Sequence, residues 1–302
     1  MTVKQWKQVI TISVIVIIVV LLALTIFFGI RYSHYANLSE DGSIIDLSEY
    51  DDIDTREATR IFKYFNSVDA EGTFDYQSKY SSLYVDNDFN FVDKEGKVCY
   101  LTFDDGPNKN VTPQVLDTLK KYDVKATFFV VYRDGSAERA LYKRIVEEGH
   151  TLAVHTASHN YTKIYSSVDA YLDDFERISK QIESTTGVKP TLFRFPGGSI
   201  NSYNMEIYHE LVAEMIRRGY VYYDWNVSSG DAASSRVSVS TITKNVLNGC
   251  SKGSDDKIVL MHDGSGHGNT ADALPDIIEG LKKQGYTFSG LDNTVAPAMF
   301  GF

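Results

Sequence analysis

Two adjacent carboxylates, Asp104 and Asp105, follow an apolar run at 98–103, and neighbouring carboxylates repel unless a cation separates their roles. His155 and His159 stand four apart, a spacing that places both imidazoles on one face of a helical turn. Two imidazoles and one carboxylate make a tripodal site that leaves coordination positions for water. Zn²⁺ is the expected ion, and Co²⁺, Ni²⁺, Mn²⁺ or Fe²⁺ suit the same donors. Arg194 begins the run Arg-Phe-Pro-Gly-Gly, where Gly197 and Gly198 let backbone N–H groups approach a ligand. Asp231 and the pair His262-Asp263 complete the set. A glycosidase reading of the two carboxylates fails, because sequence neighbours cannot flank a glycosidic bond at about 5–9 Å.

These residues need a frame that brings them together. Short apolar runs predict strands at 98–103, 126–131, 151–155, 191–195, 220–227, 258–262 and 286–289. Helical patterns fall between them at 113–122, 138–148, 168–185, 205–218, 239–247 and 274–284. Thr112 before Pro113 reads as an N-cap, and Gly149, Gly187, Gly219 and Gly285 as helix stops. The alternation predicts a parallel α/β architecture, barrel or open sheet, with chemistry at the strand ends where the ionisable residues sit.

Thr-Phe-Asp-Asp-Gly at 102–106, His-Thr-x-x-His at 155–159, Arg-x-Pro at 194–196, Trp225 to Asp231, and Leu-Met-His at 260–262 occur in one order. Over about residues 96–290 the chain resembles the polysaccharide deacetylases, the NodB-homology group of carbohydrate esterase family 4. Arg-Phe-Pro-Gly-Gly-Ser at 194–199 and Asp-Trp-Asn at 224–226 most resemble the bacterial peptidoglycan N-acetylglucosamine deacetylases. The resemblance implies a distorted (β/α) barrel of fewer than eight strands, seven by the count above. It implies Asp105, His155 and His159 as metal ligands and Asp104 as the base that takes a proton from metal-activated water. It implies His262 as the acid that protonates the departing amine, Asp231 as its orienting carboxylate, and Arg194 as the partner of Asp104. The Gly197 N–H would hold the oxyanion with the metal.

Three positions depart from the family pattern. Ala232 and Gly197 stand where relatives commonly carry Trp and often Tyr, both lining the acetyl pocket, so Leu260 is left as the matching pocket residue. Trp225, or another nearby aromatic, is expected to fill the space. Val154 stands where many relatives have Asn before the first histidine. Cys99 and Cys250 fall at the barrel end opposite the site, as a disulfide or as two buried thiols. His267 and the glycine-rich loop 264–268 either border the substrate groove or form a flexible loop, the second being the better expectation.

The 302 residues carry a formal charge of −10, and residues 36–95 account for the equivalent of all of it. An acidic chain lacks the basic footprint of a nucleic-acid binder, and two cysteines exclude a disulfide-dense scaffold. No charge interrupts the chain between Lys7 and Arg31, and residues 9–30 are long enough to cross a bilayer. Lys4 and Lys7 place the short N-terminus, 1–8, in the cytoplasm and the rest outside. Residues 31–95 read as an acidic stem, held extended by its own charge, with an amphipathic helix around 53–65 that uses Ile61, Tyr64 and Phe65. A catalytic domain at 96–290 and a tail at 291–302 complete the expected order. The leading expectation is a single-pass membrane-anchored, metal-dependent deacetylase of cell-wall peptidoglycan, GlcNAc first. Chitin-like oligosaccharide, acetylated xylan, a non-sugar amide, or glycan binding without turnover are the alternatives; no protein partner is read from the sequence.

Overall fold

Residues 98–104 and 127–131 are buried along their whole length, the pattern of central strands covered on both faces. In the computed structural model, which describes residues 55–67, 74–233, 237–253 and 256–300, they form the middle of a parallel sheet. The anchor read at 9–30, the first part of the stem and residues 301–302 lie outside the described residues. Among the described residues no helix is long and apolar enough to cross a membrane.

The strands are β1 (Val98–Asp104), β2 (Thr127–Val131), β3 (Thr151–Thr156), β4 (Leu192–Phe193), β5 (Val221–Tyr222), β6 (Val227–Ser228), β7 (Lys257–His262) and β8 (Thr287–Phe288). The helices are α1 (Thr55–Ser67), α2 (Asp75–Lys79), α3 (Thr112–Tyr122), α4 (Ser136–Glu147), α5 (Tyr161–Ile164), α6 (Val168–Thr186), α7 (Tyr208–Arg217), α8 (Val239–Cys250) and α9 (Gly268–Lys283). The sheet order is β5-β4-β3-β2-β1-β7-β6, all parallel, with β8 paired to the start of β1. The two edge strands, β5 and β6, are consecutive in the chain and separated by residues 223–226 alone. So short a link spans no more than about 18 Å, which requires the seven-stranded sheet to curl until its edges approach. This is the incomplete barrel expected, with one change: the run read as one strand at 220–227 crosses between the edges and divides into two.

The helices expected at 138 and 205 begin at Ser136 and Tyr208, and two further starts differ with a visible cause. Val111, not Thr112, is the N-cap of α3, and the Thr112 hydroxyl donates to the buried Asp263 carboxylate at 2.5 Å instead. A buried carboxylate costs more to leave unpaired than a helix end that water can reach. Helix α9 begins at Gly268, six residues before the expected start, and carries Pro275 inside. Its buried face, including Ala271, Leu274, Ile277 and Ile278, outweighs the proline. The four glycines read as helix stops all adopt positive φ, between 75° and 93°.

The stem expectation is corrected for residues 55–67 and 74–95, which pack on the barrel instead of extending from it. Ala58 and Phe62 of α1 are fully buried, with the Phe62 ring 5.2 Å from Phe89 and Phe91 and 6.0 Å from Tyr222 of β5. Burying such rings stabilises by roughly 2–3 kcal/mol each, more than the screened repulsion of a solvated acidic segment. Ile61 and Phe65 are half-buried as expected, whereas Tyr64 points to solvent. The buried Arg218 donates to the Tyr80 and Tyr76 carbonyls at 2.6 and 3.0 Å, and Val85 N–H donates to the Arg218 carbonyl at 2.9 Å. Gly219 allows that approach, since a Cβ there would lie 2.0 Å from the Val85 carbonyl oxygen.

Candidate active site

β1 and β7 are neighbours whose register puts Asp104 opposite His262, and β3 lies on the other side of β1 beyond β2, its C-terminal end at the same end of the parallel sheet. Asp105 follows at φ +70°, turning its carboxylate toward β3. There its Oδ1 lies 3.5 Å from His155 Nε2 and 3.1 Å from His159 Nε2. That Oδ1 is buried and accepts no hydrogen bond among the described residues. His155 Nδ1 is 2.9 Å from the Arg194 carbonyl, which fixes the tautomer with Nε2 unprotonated and facing Asp105. Burial pushes the His155 pKa down, favouring the neutral ring a ligand needs. Burial pushes Asp105 up, but the imidazoles around it bring it below its ordinary value. A buried, unpartnered carboxylate oxygen aimed at two imidazole nitrogens fits a divalent cation, and one ligand atom from each residue lies within 4.8 Å of the others.

The two histidines do not share a helical turn. His155 belongs to β3, and His159 ends a tight turn at φ +50°. What folds the turn back is Asp174 of α6, which accepts from Thr156 Oγ1, Ala157 N and Ser158 N at 2.5, 2.6 and 2.9 Å. Asp174 was not read from the sequence; it lies within a helix and belongs to no motif. Arg133 was missed too, and its guanidinium donates to the Asp105 and Pro107 carbonyls at 3.0 and 3.2 Å, bracing the ligand's own loop.

Arg194 is fully buried and pairs with Asp104 Oδ1 at 2.9 Å through Nη1, which also donates to Thr102 Oγ1 at 2.7 Å. Its Nε and Nη2 donate to the Tyr223 and Asp224 carbonyls at 2.8 and 3.0 Å, so the same side chain pins the segment that joins the two sheet edges. Asp104 Oδ2 accepts no hydrogen bond among the described residues. Three residues beyond Arg194 in the loop, Gly197 is exposed at φ +77°, and its N–H donates to no group among the described residues. A Cβ at Gly197 would lie 2.8 Å from the Tyr161 ring. Of the two alternatives, Trp225 or another nearby aromatic, the second holds beside Gly197, where the ring is that of Tyr161. Trp225 instead packs its ring edge against Phe300 at 4.8 Å and lies 5.8 Å from the Arg194 guanidinium. Leu260 shares the β7 face of His262, two residues earlier.

Asp231 Oδ1 lies 2.8 Å from His262 Nδ1, while its Oδ2 accepts from His262 N and Thr270 Oγ1, both at 2.8 Å. Burial alone would raise the Asp231 pKa, but His262 first of all brings it down to about 2. Burial alone would lower His262, and Asp231 overrides it, raising the imidazole to about 10. His262 is therefore a cation across the neutral range, with Nε2 left to face a ligand. His267 stacks on it at 5.1 Å, with Nδ1 3.8 Å from Asp231 Oδ2. This Asp231–His262–His267 cluster also has ligand-like spacing, yet its carboxylate is already saturated by hydrogen bonds, unlike Asp105. The loop 264–268 borders the site: Gly264, Ser265 and His267 line a cavity of about 240 Å³ with Asp105, Arg133 and His159. Cys99 and Cys250 are free, buried and adjacent at the far end of β1, where burial raises the Cys99 thiol pKa.

Residues 91–216 match the family described as polysaccharide deacetylase. A peptidoglycan-N-acetylglucosamine deacetylase of Bacillus cereus is 36% identical over 202 residues, 66% of this chain and 70% of that protein. A bifunctional xylanase/deacetylase of Pseudobutyrivibrio xylanivorans is 39% identical over 194 residues, 64% of this chain but 29% of that protein. The crystal structure of the catalytic domain of a peptidoglycan N-acetylglucosamine deacetylase from Eubacterium rectale superposes with a TM-score of 0.64 at 38% identity, covering 69% of this chain and 94% of that domain. Sequence, curled parallel sheet and strand-end residues agree, and the chain belongs to the polysaccharide deacetylases, the NodB-homology enzymes of carbohydrate esterase family 4.

Proposed function

We propose that this protein is a metal-dependent hydrolase that removes N-acetyl groups from the N-acetylglucosamine of cell-wall peptidoglycan. The observation that carries the metal is the buried Asp105 Oδ1, with no hydrogen-bond donor among the described residues and two imidazole nitrogens before it. A divalent cation held by Asp105, His155 and His159, Zn²⁺ by its donor set, would supply Lewis acidity and lower the pKa of water. The remaining steps belong to the chain's own groups. Asp104, paired with Arg194 through Oδ1, offers its free Oδ2 to the proton of the attacking water. The exposed Gly197 N–H is placed to donate to the oxygen that gains charge as the carbonyl becomes tetrahedral. His262, held protonated by Asp231, gives its proton to nitrogen as the C–N bond breaks, releasing acetate and the free amine.

Peptidoglycan as the substrate is supported by the activity of the Bacillus cereus and Eubacterium rectale relatives, both peptidoglycan N-acetylglucosamine deacetylases. Acetylated xylan is the second reading, favoured by the xylanase/deacetylase relative. The same proposal includes an anchor at residues 9–30, with the catalytic domain outside the cell membrane; protease accessibility on intact cells tests it. Mass spectrometry of muropeptides, chitooligosaccharides and acetylated xylan treated with the full chain tests the activity. Acetate release from muropeptides, lost in Asp104→Asn and His155→Ala, is expected; full activity in either variant would sink the mechanism.

A further inference from the structure

Six large hydrophobic side chains are well exposed among the described residues, and one of them, Tyr203 at 53%, lies beside the reaction centre. Its ring centroid is 5.1 Å from that of Tyr161, which in turn is 5.3 Å from the ring of His159. The three rings form a step from the candidate metal ligand to the exposed Tyr203, and neither tyrosine lines the cavity that His159 shares with His267 and Arg133. Tyr161 occupies its place because residue 197 is glycine, and it is half-buried, whereas Tyr203 is exposed.

The loop that carries Tyr203 is held from below. Asn201 Nδ2 donates to the Pro196 and Gly198 carbonyls at 3.1 Å each, and Tyr203 N–H donates to Asn201 Oδ1 at 2.9 Å. Asn204 Nδ2 donates to the Ser199 carbonyl at 2.9 Å, and both asparagines are buried. Ser199 is in turn held by the buried Asp224 carboxylate through its N–H at 2.8 Å and its hydroxyl at 2.5 Å. Buried amides that satisfy a loop's backbone fix its exposed side chain in position, so little entropy is lost when that ring is covered.

An exposed ring on a rigid loop, with an apolar face and a polar tip, suits a partner of the same mixed character. A pyranose is such a partner, with C–H groups on its faces and hydroxyls around its edge. We propose that Tyr203, backed by Tyr161, forms a separate binding subsite for the pyranose ring next to the sugar being deacetylated. The substrate is then an oligomeric glycan in which the neighbouring sugar stacks on Tyr203 and positions the reacting acetamide. This inference rests on the deacetylase reading for its orientation, but binding and turnover test the two separately.

The experiment measures binding of tetra-N-acetylchitotetraose by calorimetry, and its deacetylation, with the full chain and its Tyr203→Ala and Tyr203→Trp variants. Tyr203→Ala is expected to weaken tetrasaccharide binding and raise KM about tenfold, the equivalent of about 1.4 kcal/mol, with kcat largely kept. Tyr203→Trp is expected to restore both, and the KM for monomeric N-acetylglucosamine to move less than about twofold. Unchanged affinity and KM in Tyr203→Ala, an equal loss for the monosaccharide, or an effect confined to peptide-bearing muropeptides would overturn the subsite. Binding that depends on Tyr203, with no acetate released from the tetrasaccharide, from muropeptides or from acetylated xylan, would leave the subsite standing and remove the deacetylase reading.

Discussion

Asp231→Asn keeps the shape of the carboxylate and deletes its charge, so it isolates what that charge does to His262. At 2.8 Å and an effective dielectric constant near 20, a unit charge pair is worth about 6 kcal/mol, roughly four pKa units. That is enough to overcome burial, which lowers His262, and to produce the rise to about 10, with Asp105 and Asp104 adding less. Without Asp231 the imidazole falls toward its ordinary 6.5 or lower. At pH 8.5 about one molecule in a hundred would then hold the proton that the leaving amine needs. The alkaline limb of kcat/KM for acetate release therefore moves down by about three pH units, and activity at pH 8.5 falls at least about tenfold. Stability shifts in the same sense. A raised His262 contributes stability that is full below 6.5 and lost as pH climbs through about 10, while a lowered Asp231 contributes stability present above 3.8 and lost as pH falls through about 2. The variant should lose both. A pH–rate profile between about pH 5 and 10.5, with the His262 ring titrated by NMR, decides the matter: an alkaline limb in the same place would refute the assignment of His262 as the acid held charged by Asp231.

Asp174→Ala strands three donors behind the His155–His159 turn and should reduce divalent-metal affinity about 10–100-fold, as read by calorimetry; wild-type affinity would show that the turn holds without it. Phe62→Ala removes a fully buried ring that joins α1 to the barrel and should cost about 3–5 kcal/mol in urea unfolding, whereas an independent stem would leave the barrel's midpoint unmoved. Trp225→Ala opens space beside Arg194 and Phe300 and should lower kcat/KM for acetylated glycan several-fold by loosening Arg194, so unchanged deacetylation would show that Arg194 is held without it. Gly197→Ala forces a Cβ against the Tyr161 ring at positive φ and should lower kcat at least about tenfold, measured beside its melting temperature to separate site damage from unfolding.

The grouping of the candidate site residues was legible in the sequence because it rests on residue types at strand ends. Asp105, His155 and His159 meet as expected, and His262 finds Asp231. Local spacing misjudged how they meet: the histidines are joined by a strand end and a turn rather than by a helix, because Asp174, fifteen residues beyond His159, bonds the turn. The space beside Gly197 went to another nearby aromatic, Tyr161, since a pocket wall depends on which loops touch and not on which residues are neighbours in the chain. The acidic segment at 55–67 and 74–95 misled for a similar reason. Its charge was plain in the sequence, but the apolar face it buries, Phe62 with Phe89 and Phe91, matters only once β5 and α7 offer a surface.

The sequence by itself determined the parallel α/β alternation, the order of the motifs and the identity of the ionisable groups, since hydrophobic period and side-chain chemistry are local properties. Tertiary structure alone decided that the sheet curls until β5 and β6 are joined by four residues, with Arg194 reaching across to hold both that link and Asp104. It also decided the protonation states. A carboxylate at 2.8 Å holds His262 charged, and the Arg194 carbonyl holds His155 Nε2 open, because such electrostatic effects depend on distance and burial that no run of residues specifies.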